Sequence, residues 1–264
     1  MSLQPLAILL VAGLGSTYAF AQTGSALVDA TRTSVPNPVQ AAERRALSPE
    51  ERGDIFMARK MYREAIDSFR EGSPKDPALH NKEGIAYHQL LQLDQALKEY
   101  QQAVKLKPDY EEAINNIGTI YYTKRSYRRA TTWFARALAL APDDSKSAAV
   151  YVNLGSSWFS RKNYERAQTA FQTAVRLDPD VFERHSGFGV MMQERNIEDR
   201  AKFHFYMAKM YAKSGRNELA LQNLRKALEE GFRDKQKIAE APEFNPLRDL
   251  PEFKELLKLE PRVL

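Results

Sequence analysis

Small residues and aromatics recur along this chain at fixed offsets. Ala96, Ala130 and Ala167 are each followed by an aromatic four residues on (Tyr100, Phe134, Phe171) and by a second alanine seven residues on (Ala103, Ala137, Ala174). Offsets of four and seven put the three side chains on one face of a helix. Twelve residues before each leading alanine stands a glycine (Gly84, Gly118, Gly155), with an aromatic three residues after it (Tyr87, Tyr121, Trp158). Twelve residues after each leading alanine stands a proline (Pro108, Pro142, Pro179). Glycine and alanine suit places where helix backbones approach closely, the aromatics can fill the space beside them, and proline ends a helix. The leading alanines are 34 and then 37 residues apart, so the second interval holds extra residues, which we place within 143–149.

Two looser copies flank these three. Gly53, Phe56, Ala65 and Phe69 precede them, and Ser48-Pro49-Glu50-Glu51 reads as a capping box with proline at the first helical position. Ala208, Tyr211, Ala220, Leu224 and Ala227 come after them, with alanine in place of glycine and leucine in place of the aromatic. The five copies resemble the tetratricopeptide repeat (TPR), a unit of about 34 residues that folds as two antiparallel helices. The resemblance implies an all-α, right-handed superhelix, with repeats 1–4 over 46–181, an insertion over 182–200, repeat 5 over 201–234 and a capping segment over 235–264. Divergence at the ends is expected, because a terminal repeat has a neighbour on one side only.

The first 45 residues differ in composition from the rest. An apolar run from Leu6 to Leu14 leads to Ala19-Phe20-Ala21, the small-x-small form of a signal-peptidase site. Residues 1–21 are therefore expected to direct export to the periplasm or the exterior, with cleavage near Ala21. No Lys or Arg precedes the apolar run, which departs from the usual signal. A membrane anchor is the competing reading, but Leu6 to Ala21 is interrupted by Gly13, Gly15, Ser16 and Thr17, and a spanning helix needs about 20 apolar residues. Residues 22–45, with Pro36-Asn37-Pro38, read as a flexible leader. Cysteine is absent, so lipid attachment, disulfides and thiol chemistry drop out together.

Within the resemblance, the first helix of each pair lines a concave groove that holds an extended peptide or a partner helix. The groove positions here are Asn81, Ile85, His88, Asn115, Thr119, Tyr122, Val152, Ser156, Phe159, Lys202 and Lys209. A terminal-carboxylate clamp is disfavoured, since Asn81 and Ile85 stand where that clamp has Lys and Asn; Asn116 and Asn153 are read instead as hydrogen bonding between repeats. A second surface emerges when the repeats are superposed. Cations recur at the turn inside each pair (Lys124, Arg125, Arg128, Arg129; Arg161, Lys162, Arg166), except in the second repeat, and acids gather at the opposite turns. Helix dipoles account for many of these charges, but not for Arg128, Arg129 and Arg166 at the starts of second helices.

The expected role is protein or peptide binding by a scaffold; the alternative is a basic edge that meets anionic lipid or polysaccharide in the cell envelope. The net charge of +5 is spread over the repeats and no base-reading motif accompanies it, which argues against nucleic acid. No phosphate loop, HExxH or Gly-x-Ser-x-Gly motif occurs, so no catalytic residue, cofactor or metal is assigned. His80 and His88 are too far apart on one helix to share a metal, and His185 in the insertion is the single histidine beside candidate catalytic partners.

Overall fold

The computed structural model describes residues 46–184 and 197–259. The expected signal (1–21), the leader (22–45) and the centre of the insertion, with His185, lie outside the described residues. The described chain is all-helical and builds helix pairs: α1 (Pro49–Ala58) with α2 (Tyr62–Arg70), α3 (Pro77–Gln89) with α4 (Leu93–Leu106), α5 (Glu111–Thr123) with α6 (Tyr127–Leu138), and α7 (Ser147–Ser160) with α8 (Tyr164–Leu177). A short α9 (Val181–Arg184) leads into the insertion. Beyond it come α10 (Ile197–Lys213) with α11 (Asn217–Glu229), then α12 (Lys235–Glu240), a 3₁₀ segment (Pro242–Leu247) and α13 (Pro251–Lys258). Each helix packs mainly on its sequence neighbours, and first helices also meet across repeats, α3 on α5 and α5 on α7. This is the right-handed superhelix of antiparallel pairs, stabilised by nearest-neighbour contacts.

The glycine at the centre of each first helix is required by a ring. A Cβ on Gly118 would lie 2.6 Å from Cε1 of Phe134, one on Gly84 2.5 Å from Cε1 of Tyr100, and one on Gly155 2.4 Å from Cε1 of Phe171. The rings are fully buried with the repeat alanines around them, and each contributes about 2–3 kcal/mol of apolar burial. In the last repeat both partners change: Ala208 and Leu224 take the two places and are fully buried in one cluster. The shorter side chain goes with the methyl group. At the N-terminus, Ser48 Oγ accepts from the Glu51 amide at 3.1 Å while the Ser48 amide donates to Glu51 at 2.7 Å, a complete capping box.

The turns inside the pairs share one geometry. Lys60 (φ 59°), Leu91 (59°), Arg125 (56°), Lys162 (59°) and Gly215 (74°) all occupy the left-handed region. In the third repeat the Arg125 amide donates to Tyr122 O at 2.8 Å and the Ser126 amide to Tyr121 O at 2.8 Å. The other four turns repeat this double bond, the Schellman closure that usually places glycine at its left-handed residue. A long side chain there costs about 1 kcal/mol, and the first four repeats all carry one.

The C-terminal segment covers more than the outer face of the last helix. α13 lies on α11, with Phe253 and Leu256 buried, as expected of a cap. The 3₁₀ segment instead lies on α10, the first helix of the last pair, and buries Phe244 and Leu247 completely. Phe205 of α10 stacks on Phe232, with ring centroids 4.3 Å apart, and meets Phe244 at 6.2 Å.

Candidate functional site

The inner face is narrower than its repeat positions suggest, and several expected groove residues are corrected here. Asn81, His88, Ser156, Phe159 and Val152 are all buried. His88, Tyr122 and Phe159 occupy equivalent places near the ends of their helices, where the chain turns back and the next helix crosses. Tyr164 packs edge-on against Phe159 at 5.1 Å, and Tyr127 against Tyr122 at 5.3 Å. Ser156 is taken up by its own helix, its hydroxyl donating to Val152 O at 2.8 Å. Lys209 is covered by the C-terminal segment and pairs with Glu243 at 3.1 Å, an ion pair that helps hold the Glu243 carboxyl below its usual range against the opposing effect of burial. Lys202 pairs with Glu198 on its own helix.

Half-buried side chains remain on the middle repeats: Ile85, Asn115, Thr119 and Tyr122. Asparagines link the first helices across this face. Asn116 Nδ2 donates to Asn81 Oδ1 at 3.0 Å, and Asn153 Nδ2 donates to Asn115 Oδ1 at 3.2 Å. These pairs fix the spacing of three consecutive repeats and match the inter-repeat role read for Asn116 and Asn153. Between them opens a cavity of 350 Å³ lined by Ile85, Tyr110, Glu112, Asn115, Lys146 and Asn153, among others. Burial pushes the Tyr110 hydroxyl up to about 12, so it is a neutral donor there. A second cavity, of 580 Å³, lies beside α10, with Tyr164 stacked on Tyr206 at 5.0 Å and Lys202, Arg233 and Lys237 around it.

At the turns, Lys124, Arg125, Arg128, Arg129, Arg161, Lys162 and Arg166 are exposed. Lys124 pairs with Asp94 of the preceding repeat, and Arg161 donates to the Thr131 hydroxyl at 3.2 Å. Arg129 lies over the Tyr121 ring at 5.5 Å, while Arg161 and Arg166 lie over Trp158 at 4.2 and 4.6 Å. A cation over an aromatic face gains about 0.5–1 kcal/mol at an exposed site. That offsets the unfavourable dipole for Arg129 and Arg166 at their helix starts; Arg128 makes no such contact among the described residues.

One cluster is not legible in the sequence because its members come from two helices. His80 and Glu83 of α3 meet Glu99 of α4, with ligand-type atoms all within 4.8 Å of one another. His80 Nδ1 lies 2.8 Å from Glu99, and its Nε2 lies 3.0 Å from Pro74 O. Two acceptors flank the ring; burial opposes its charge, but these bonds outweigh it and raise the pKa. Burial raises Glu83, whose carboxylate accepts from Arg70 Nε at 3.2 Å. A divalent cation could be held by such a set, but Glu83 is already paired with Arg70 and Glu99 with His80. His88 behaves in the opposite way: burial lowers its pKa to about 4, and its Nε2 has no hydrogen-bond partner among the described residues.

These features define a helix-pair repeat scaffold with an asparagine-linked inner face and a cationic turn edge. Models of the tetratricopeptide repeat match residues 84–124, 112–141 and 148–181, so this stretch of the chain carries tetratricopeptide repeats. Among curated proteins it is 28% identical over 156 residues to the chloroplastic tetratricopeptide repeat domain-containing protein PYG7 of Arabidopsis thaliana, covering 54% of this chain and 52% of that one. It is 36% identical over 84 residues to the human protein O-mannosyl-transferase TMTC1, covering 30% of this chain and 10% of that one. It is 30% identical over 102 residues to the uncharacterized protein ycf37 of Guillardia theta, covering 36% and 57%. The chain thus spans from about a tenth to just over half the length of these relatives. Among solved structures, MamA matches with a TM-score of 0.47 and 19% identity, covering 71% of this chain and 96% of that one.

Proposed function

We propose that the protein is a non-enzymatic scaffold whose middle repeats hold a segment of a protein partner on the inner face. The observation that carries this reading is the 350 Å³ cavity between Ile85, Tyr110, Asn115 and Asn153, at the seam that the asparagine pairs hold open. Amides and a neutral tyrosine hydroxyl suit the backbone of an extended peptide, and Ile85 offers an apolar contact for one of its side chains. Asp109, Glu111 and Glu112 outnumber Lys107 and Lys146 around the cavity, which favours a segment carrying positive charge. Tetratricopeptide repeats bind protein partners as a class, and the basis here is this face of repeats 2 to 4. The test is a peptide-array screen with the intact chain, then the same screen with Asn153→Arg, which fills the cavity. Loss of the selected peptides in that variant is expected; unchanged binding would remove the reading.

A second reading is favoured by one observation. Arg125, Arg128, Arg129, Lys162 and Arg166 form no ion pair among the described residues, so this edge can meet an anionic surface. The apolar run and Ala19-Phe20-Ala21 support action outside the cytoplasm after export. N-terminal sequencing of the mature chain should start at Gln22, and a retained Met1 would contradict export with cleavage.

A further inference from the structure

The left-handed residue of each turn occupies the same place in its repeat, so its side chain projects from the same edge of the array. Along that edge the sequence runs Lys60, Leu91, Arg125, Lys162 and Gly215. Glycine would close every one of these turns without strain, yet it appears only in the last. An unfavourable backbone kept at four equivalent positions points to a use for the side chains. Three are cations. The fourth stands in the repeat that breaks the cationic pattern, and there the side chain is a leucine, 54% exposed. Met61, beside Lys60, is 37% exposed.

We propose that these four side chains form a comb that docks the array on an anionic lipid bilayer, with the lysines and arginine among the headgroups and Leu91 dipping toward the acyl boundary. The proposal rests on the reading of the turn edge as an anionic-surface site and names that surface. Cations alone would serve an acidic protein or polysaccharide equally well. An exposed leucine in line with them matches a bilayer, whose charged layer overlies an apolar one. The neighbouring Arg59, Arg128, Arg129 and Arg166 add to the same field.

Glycine substitutions provide the test because they suit the backbone. The intact chain is sedimented with phosphatidylcholine vesicles, with and without phosphatidylglycerol, and heparin binding is measured in parallel. Binding to the phosphatidylglycerol vesicles alone, weakened by salt, is expected. Arg125→Gly with Lys162→Gly should lower partitioning about twenty-fivefold, from about fivefold per cation near the surface. Leu91→Gly should lower it about fivefold while leaving heparin binding unchanged. All three changes should leave the melting temperature unchanged or raise it, which separates lost docking from lost folding. Heparin binding without vesicle binding would overturn the bilayer while keeping the anionic edge; binding to neither would remove both. Vesicle binding indifferent to Leu91→Gly would also overturn the comb.

Discussion

Repeats 2 to 4 and the last repeat use the same two-helix unit and leave its inner face in opposite states. In the middle repeats, a glycine faces a tyrosine or phenylalanine, and asparagines bridge first helices while a cavity stays open between them. In the last repeat, alanine faces leucine, and the inner face of α10 around Phe205 and Lys209 is filled by Phe232, Phe244 and Glu243, all C-terminal to α11, while the 580 Å³ cavity lies further toward the start of α10, beside Lys202. Where a polar His88 is buried in the second repeat, Ala212 is buried in the last. One unit can thus present a surface or seal one, depending on whether the next stretch of chain folds back over it.

The largest effect that would break this contrast is expected at the seal. Phe244→Ala should cost about 3–5 kcal/mol. Hydrogen exchange should show α10 and α11 losing protection before α3 to α6 do, because repeat stability is local. Uniform loss over all repeats would contradict that. Acid provides the next test. His88 is neutral in the folded array, with a pKa of about 4, against about 6.5 in the unfolded chain. As the pH falls from 6.5 toward 4 the unfolded chain takes the proton first, so about 3 kcal/mol of stability present above 6.5 is lost. His80, whose pKa is raised, acts in the other direction: its contribution is complete below its unfolded pKa and fades as the pH rises through its folded one. Denaturant titrations of His88→Leu at pH 7 and pH 4.5 should show a flattened acid limb; a limb as steep as in the unmodified protein would contradict the assignment.

A smaller effect separates the two Gly-aromatic arrangements. Gly118→Ala sets a methyl group against Phe134 and should cost about 1–3 kcal/mol. Adding Phe134→Leu, which recreates the pairing of the last repeat, should cost less than the sum of the two single changes, read as a double-mutant cycle. Ala208→Gly, where Leu224 leaves room, should cost only about 1 kcal/mol, from helix propensity. Equal penalties at both sites would break the comparison.

The repeat spacing disclosed the helix pairs because glycine, alanine and the aromatics meet inside one unit, within 34 residues of one another. The place of the C-terminal segment was half legible. Phe253 and Leu256 announce an amphipathic cap, but nothing local in Pro242–Leu247 says that it turns onto α10. The groove residues were harder to read. A repeat position states which way a side chain points, but Phe159 is buried by Tyr164 after the turn and Lys209 by Glu243 more than thirty residues on. The left-handed turns escaped because their usual marker, glycine, is replaced by Lys60, Leu91, Arg125 and Lys162.

The central claim, that partner contact belongs to the open inner face of the middle repeats, is tested most directly by position-specific photo-crosslinking in the native cell. A photoreactive residue placed at Thr119 should give a discrete protein adduct. The same residue at Gln101, exposed on α4, or at Lys209, beneath the C-terminal segment, should not. Adducts of equal yield at Gln101, or adducts at Lys209 alone, would contradict it.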